Sequence, residues 1–229
     1  MRTAVKLSSE ARRASIIRAV RHLFANKGFN GTTTRELAEA AGVSEALLYR
    51  HFPTKEALFE AIQQSFCDDQ TRARFERLNA LEPCTQTLIL LVHFLASKIL
   101  GDEHHDADRA DRSRMMLRSL AEDGEFARLN LQPFAAVFIP KIEECWRAAV
   151  TAGDARDGPV LPALGGWFAY NLAAMASFQS TPNPPIVNFR ASRGRLVGQV
   201  VWFALRGLGL KEEAIKRHYH PEALSVLGV

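Results

Sequence analysis

The side chains that could do chemistry are unevenly placed along this chain. Residues 1 to 55 hold ten Lys/Arg against four Asp/Glu, a net +6, whereas residues 56 to 229 hold nineteen against twenty-one, a net −2. The total of +4 therefore hides a basic amino-terminal end, as expected when one part of a protein meets phosphates and the other does not. Within that end Thr34, Arg35, Tyr49, Arg50 and His51 crowd into a single stretch, with Lys55 just beyond. Hydroxyls and cations of this kind have the chemistry to hold phosphate oxygens.

Other constellations carry less. The chain has no G-x-S-x-G elbow, no phosphate loop ending in Lys-Ser/Thr and no H-E-x-x-H, so no enzyme is expected. The glycines of RGLGLK and GRLVGQ fall in helix-like segments rather than after a strand. Gly101 to Asp111, GDEHHDADRAD, gathers carboxylates around His104 and His105. Adjacent histidines point in different directions, and an acidic loop between helices is usually solvated. His218 and His220 in KRHYHPE take the same reading, so neither a metal nor a cofactor is expected. Cys67, Cys84 and Cys145 are scattered and read as buried or incidental; a redox role requires exposure and a lowered pKa.

The elements that position the polar set are two short helices in Thr33 to Phe52, TTRELAEAAGVSEALLYRHF. Thr33 and Glu36 have capping-box spacing. Leu37, Ala38 and Ala41 form an apolar face, and Gly42 supplies the left-handed stop. Val43 fills the corner, and Ser44 caps a second helix whose Leu48 and Phe52 face inward. A helix of seven or eight residues takes its register from packing, which leaves its other face free. In a helix-turn-helix the second helix enters the major groove.

The pattern G-F-x-x-T-T-x-R-E-L-A-x-x-A-G-V-S-x-x-x-L-Y-x-H-F-x-x-K-x-x-L from Gly28 to Leu58 closely resembles the amino-terminal domain of the TetR family of bacterial transcriptional regulators. The resemblance covers roughly residues 9 to 60. It implies an all-α fold: a three-helix DNA-binding domain with a helix-turn-helix at 1–55, and a larger helical effector-binding and dimerisation domain at 56–229. It also implies that Arg35 reads a guanine edge, that Glu45, Ala46 and Leu47 meet bases, and that Thr34, Tyr49, Arg50, His51 and Lys55 hold phosphates. Ala46 or Leu47 suits a thymine methyl and Glu45 a cytosine amino group. Arg50 departs from the aromatic sometimes found at its position.

Along the chain, residues 1 to 8 read as a basic arm with Arg2 and Lys6. A first helix follows, with Ile16, Val20, Leu23 and Phe24 inward and Arg12, Arg13, Arg18 and Arg21 off that stripe. Phe29 is expected beside Phe52. A helix from Thr54 carries Leu58, Phe59, Ile62 and Phe66, and the resemblance makes it the link to the body. Thr85 to Leu100 reads as a buried helix with His93 inside it. Pro140 should kink or divide the helix that carries Phe134, Phe138, Ile142, Trp146 and Val150. No apolar run approaches a membrane span and no signal segment follows the basic start, so a cytoplasmic protein without membrane contact is expected.

Two last helices, Ala163 to Gln179 and Ser192 to Leu208, are apolar enough to bury two faces. Gly165, Ala169, Ala173 and Ala176 allow close helix approach, and Leu196, Val200, Phe203 and Gly207 form one stripe. By resemblance this pair meets its copy in a homodimer, in keeping with palindromic operators. His93, Phe94, Met115, Met116, Phe138, Trp146, Trp167, Tyr170 and Asn171 are candidates for an effector pocket of apolar or aromatic character. The expectation is a homodimeric repressor that binds double-stranded operator DNA and is released by a small molecule. The alternative is a helical interaction module, or a regulator without a ligand.

Overall fold

The computed structural model describes residues 8–66, 69–101 and 106–222, and among them it contains eleven α-helices and no strand. The arm residues Arg2 and Lys6, Cys67, and the His104/His105 pair lie outside the described residues. The chain packs as two compact units: residues up to 68 with 107–131, and 69–106 with 132–229.

The first unit opens with α1 (Ser9–Lys27), α2 (Thr34–Ala41), α3 (Glu45–His51) and α4 (Lys55–Ser65). Ser8 caps α1 by accepting the Ala11 N–H at 3.1 Å, and Gly28 ends it at φ +71°. Ile16, Val20 and Phe24 are buried along one side, as a 3.6-residue period requires. Phe29 makes its ring contacts with Phe24 and Phe59, at 6.2 and 5.2 Å, rather than with Phe52. Arg21, expected in the solvent-facing field, is buried instead. Its guanidinium donates to Ser65 Oγ at 2.9 Å and covers the Phe66 ring.

Two more segments complete this unit, α7 (Asp106–Ala121) and the first turns of α8 (Glu125–Thr151). Phe126 sets its ring edge-on to Phe59 and Phe66. Arg118 donates to the Asn26 carbonyl at 2.7 Å, near the end of α1. A Cβ on Gly28 would stand 2.6 Å from Arg118 Nε, so this glycine serves both the positive φ and the close approach.

The second unit holds α5 (Asp69–Asn79), α6 (Thr85–Leu100), the rest of α8, α9 (Pro162–Ser180), α10 (Arg193–Gly207) and α11 (Glu212–His218). α6 is buried on nearly all sides, with Leu88, Ile89, Leu91 and Val92 at its centre against α9 and α10. Pro140 neither divides nor ends α8, which runs through Pro133 and Pro140. A proline removes the N–H owed to the carbonyl four residues earlier. For Pro133 that carbonyl is Leu129, and Gln63 Nε2 supplies the missing donor at 3.0 Å. For Pro140 it is that of Ala136, which is exposed.

Candidate functional site

The turn between α2 and α3 is built from local polar contacts. Thr33 Oγ1 accepts the Glu36 N–H at 3.3 Å, and the Thr33 N–H donates to Glu36 Oε2 at 2.8 Å. Gly42 is left-handed at φ +63°, and the Val43 N–H returns to the Ala38 carbonyl at 3.0 Å. Ser44 Oγ then accepts the Leu47 N–H at 3.2 Å and starts α3. Leu37, Ala38, Leu48 and Phe52 are buried, and α2 packs on α1 and on α3, so the register of the two helices is set by packing.

Arg35, Glu45, Ala46, Tyr49 and Arg50 are exposed, while Thr34, Leu47 and His51 are half-buried. Tyr49 is no core aromatic: its hydroxyl lies 3.1 Å from Thr34 Oγ1, joining two of the expected phosphate contacts. Arg35 Nε donates to Glu39 Oε1 at 2.9 Å, and that bond, with Glu45 adding to it, raises the guanidinium pKa above its ordinary value. Lys55 is turned inward: its ammonium donates to the Phe29 carbonyl and lies over the Phe29 ring, and burial lowers its pKa. Lys27 and then Thr33 hold the Glu36 carboxyl down to about 2.

Sequence reasoning missed three supports of this surface. Glu39 is the partner of Arg35, and its i, i+4 spacing was a readable signal. Arg13 closes the end of α3, donating to the His51 carbonyl at 2.7 Å with its guanidinium 4.2 Å from the centre of the Phe52 ring. Arg118 comes from far along the chain, and nothing local in the sequence marks it.

The expected pocket residues do not form one group. Phe94 and Phe138 join Phe75 and Phe134 in a ring cluster, with Phe134 and Phe138 4.7 Å apart and Phe75 5.3 Å from Phe134. His93 is a satisfied core histidine. Its Nδ1 lies 3.1 Å from the Tyr219 hydroxyl and its Nε2 3.2 Å from Ser97 Oγ; burial pushes the tyrosine up to about 12. Trp146 Nε1 donates to the Leu208 carbonyl at 2.9 Å. Trp167 stands edge-on to Tyr170 at 5.9 Å. Met115 and Met116 are buried in the other unit, and Asn171 is exposed on α9. His218 lies 3.8 Å from Asp154 in an ion-pair set with Arg217. Among the described residues no cluster could hold a metal ion.

The small-residue face of α9 requires a correction. Gly165, Ala169, Ala173 and Ala176 are buried within their own chain, and a Cβ on Gly165 would meet Leu208 at 2.4 Å. The opposite face, Leu161, Leu164, Phe168, Leu172 and Met175, is exposed. On α10, Phe203 and Gly207 are exposed and Leu196 and Val200 half-buried, whereas Val197, Val201 and Ala204 point into the core. Small residues mark a close approach, but not whether the neighbour is the same chain or a second one.

The family model of bacterial regulatory proteins, tetR family, matches residues 16–62, from α1 into α4. A nucleoid occlusion factor, SlmA, of a Marinomonas species is 30% identical over 157 residues, 67% of this chain and 73% of that protein. The chain belongs to the TetR family. It is a DNA-binding transcriptional regulator of all-helical fold. Similarity in fold extends beyond the head. AibR, solved with isovaleryl coenzyme A and operator DNA, aligns at TM-score 0.60 and 19% identity, covering 84% of this chain and 97% of that one. FadR of Bacillus subtilis, solved with stearoyl-CoA, aligns at TM-score 0.58 and 14% identity, covering 85% and 98%. No described helix is long and apolar enough to cross a membrane.

Proposed function

We propose that this TetR-family regulator binds a near-palindromic operator as a homodimer, represses by occupying promoter DNA in the cytoplasm, and is released by a small, largely apolar or aromatic effector. One observation carries the reading. α2 and α3 bury every large apolar side chain of their inner face and present Arg35, Glu45, Ala46, Tyr49 and Arg50 together on the outer one. In this reading Arg35 takes guanine O6 and N7, and Glu45, Ala46 and Leu47 meet neighbouring bases. Thr34, Tyr49, Arg50 and His51 hold phosphates; Lys55 does so after leaving the Phe29 carbonyl. Residues 1–55 then act as the reader and 56–229 as the effector and dimer portion. The exposed apolar faces of α9 and α10 supply a surface for a second copy, whose two-fold axis matches a palindrome.

The effector is assigned to the second unit, where the ring cluster of Phe75, Phe94, Phe134 and Phe138 suits an acyl chain or an aromatic group. Complexes of AibR and FadR with acyl thioesters make such compounds the first panel to test. The deciding experiment is a footprint on DNA upstream of the protein's own gene, with and without that panel. Protection with two-fold symmetry that an acyl thioester removes is the expected result. Diffuse, salt-sensitive binding without a symmetric footprint would overturn operator recognition.

A further inference from the structure

α3 is a short helix with an unfinished end. Its seven residues stop just before Pro53, which has no N–H to return to the Tyr49 carbonyl four residues earlier. The Phe52 N–H closes the ladder on the Leu48 carbonyl at 2.9 Å, so the last carbonyls, His51 among them, have no partner within the helix. For His51 the donor comes from α1. The Arg13 guanidinium reaches its carbonyl at 2.7 Å from 38 positions away in the sequence, and the same group lies 4.2 Å from the centre of the Phe52 ring. Arg13 thus grips two consecutive residues, one by its backbone and one by its ring.

The packing of the helices shows what this grip adds. α1 packs along α2 and α4, and α3 packs on α2. The front of α3 is fixed by the Gly42 turn and the Ser44 cap, and its middle by the burial of Leu48. The Tyr49 hydroxyl, 3.1 Å from Thr34 Oγ1, ties α3 to α2 again. At the rear, Phe52 is buried and Arg13 lies over its ring. A positive charge at a helix C-terminus also complements the helix dipole. A planar guanidinium can donate within its plane while its flat face covers a ring, a combination that suits arginine. Arg13 itself is exposed, so replacing it opens no cavity in the core.

We propose that Arg13 is a positioning residue for base recognition: it sets the tilt of α3, and with it where Glu45, Ala46 and Leu47 fall against base edges, without itself touching a base. The inference rests on the reading of α3 as the helix that enters the major groove. Direct readout needs its side chains within about 0.5 Å of the productive geometry. A short helix fixed at its front and released at its rear pivots about the front. Phosphate contacts tolerate such a pivot better than base contacts, because attraction between charges has little directional demand. Loss of Arg13 therefore lowers discrimination among sequences more than it lowers affinity for DNA in general.

The test uses the full chain and a pool of duplexes with a randomised centre, from which the native protein selects its sequence. The selected duplex, its single-base-pair variants and a random duplex are then the probes. Arg13→Met removes the charge and the donor but keeps the length of the side chain. Arg13→Lys keeps the charge, and carries the test if Arg13→Met does not fold. Arg18→Met removes one exposed charge elsewhere on α1. Binding is read well below each unfolding midpoint, where a loss of stability alone leaves the ratio of selected to random affinity unchanged. Arg13→Met is expected to narrow that ratio about tenfold, the scale of one hydrogen bond, spread over several base pairs. Arg13→Lys should recover part of the loss, and Arg18→Met should weaken both duplexes alike. The proposal is overturned by a native ratio in both Arg13 variants, or by a loss confined to one base pair, which would make Arg13 a base reader. Equal weakening of both duplexes with a reduced salt slope would overturn it too, and make Arg13 a phosphate contact. Failure of the native chain to select any sequence would overturn the reading of α3, and this inference with it.

Discussion

The α2/α3 pair and the α9/α10 pair use their faces differently. In the reader pair the inner face is apolar and the outer face polar, so side-chain type alone separates core from surface. On α9 both faces are apolar and size separates them: Gly165, Ala169 and Ala173 turn inward, while Phe168 is 52% exposed; on α10 the large apolar Phe203, 67% exposed, stands among exposed polar residues. A polar outer face is stable in water and can release its ligand. A broad apolar outer face calls for lasting cover. The first geometry suits reversible contact with DNA, and the second suits a permanent partner such as a second copy.

The largest expected effect comes from the outer face of α9. Phe168→Glu should weaken self-association by at least a factor of about one hundred, roughly 3 kcal/mol, with little change in the stability of the separated chain. Sedimentation over a dilution series would show it. An unchanged dimer would remove this face from the interface. The inner face should respond in the opposite way. Ala173 is fully buried, so Ala173→Leu should cost about 1 to 3 kcal/mol of folding stability through overpacking, read as a lower urea midpoint. A variant as stable as the parent would contradict the close packing of α9 on α6 and α10.

The same contrast explains what was legible in the sequence. The head could be read in detail because its rules are local. Thr33 and Glu36, Gly42, and Ser44 lie within a few residues of the backbone groups they satisfy, and Leu48 and Phe52 follow a helical period. The body obeys rules with no local signature. The carbonyl freed by Pro133 is satisfied by Gln63, which no pattern within α8 announces, so the run of α8 through its prolines was unreadable. The faces of α9 were ambiguous because both pattern as helix contacts.

A smaller effect is expected at the base-reading surface. Arg35→Ala should lower discrimination at one base pair per half-site by about 1 to 3 kcal/mol. Affinity for random DNA should change far less. Glu39→Gln removes the charge that holds Arg35 Nε while keeping its shape, and should cause a smaller loss at the same base pair. Quantitative binding to operators substituted at each position separates the cases. Equal losses on operator and random DNA for Arg35→Ala would assign Arg35 to the phosphates.

The smallest effect is the pH response of the cap. Glu36 is held at about 2 against an ordinary 4.5 by Lys27, 2.5 Å away, and by the N–H and hydroxyl of Thr33. Because the folded state favours the carboxylate, the contribution of Glu36 is present above pH 4.5 and is lost as the pH falls toward 2. The stability gap between the native chain and Glu36→Gln should therefore be constant near neutrality and narrow over that interval in denaturant titrations. Thr33→Ala should cost about 1 kcal/mol through the lost cap and flatten the narrowing only in part, since Lys27 remains. A gap that does not change across the interval would mean that the capping box binds no linked proton, and that α2 is held by the burial of Leu37 and Ala38 alone.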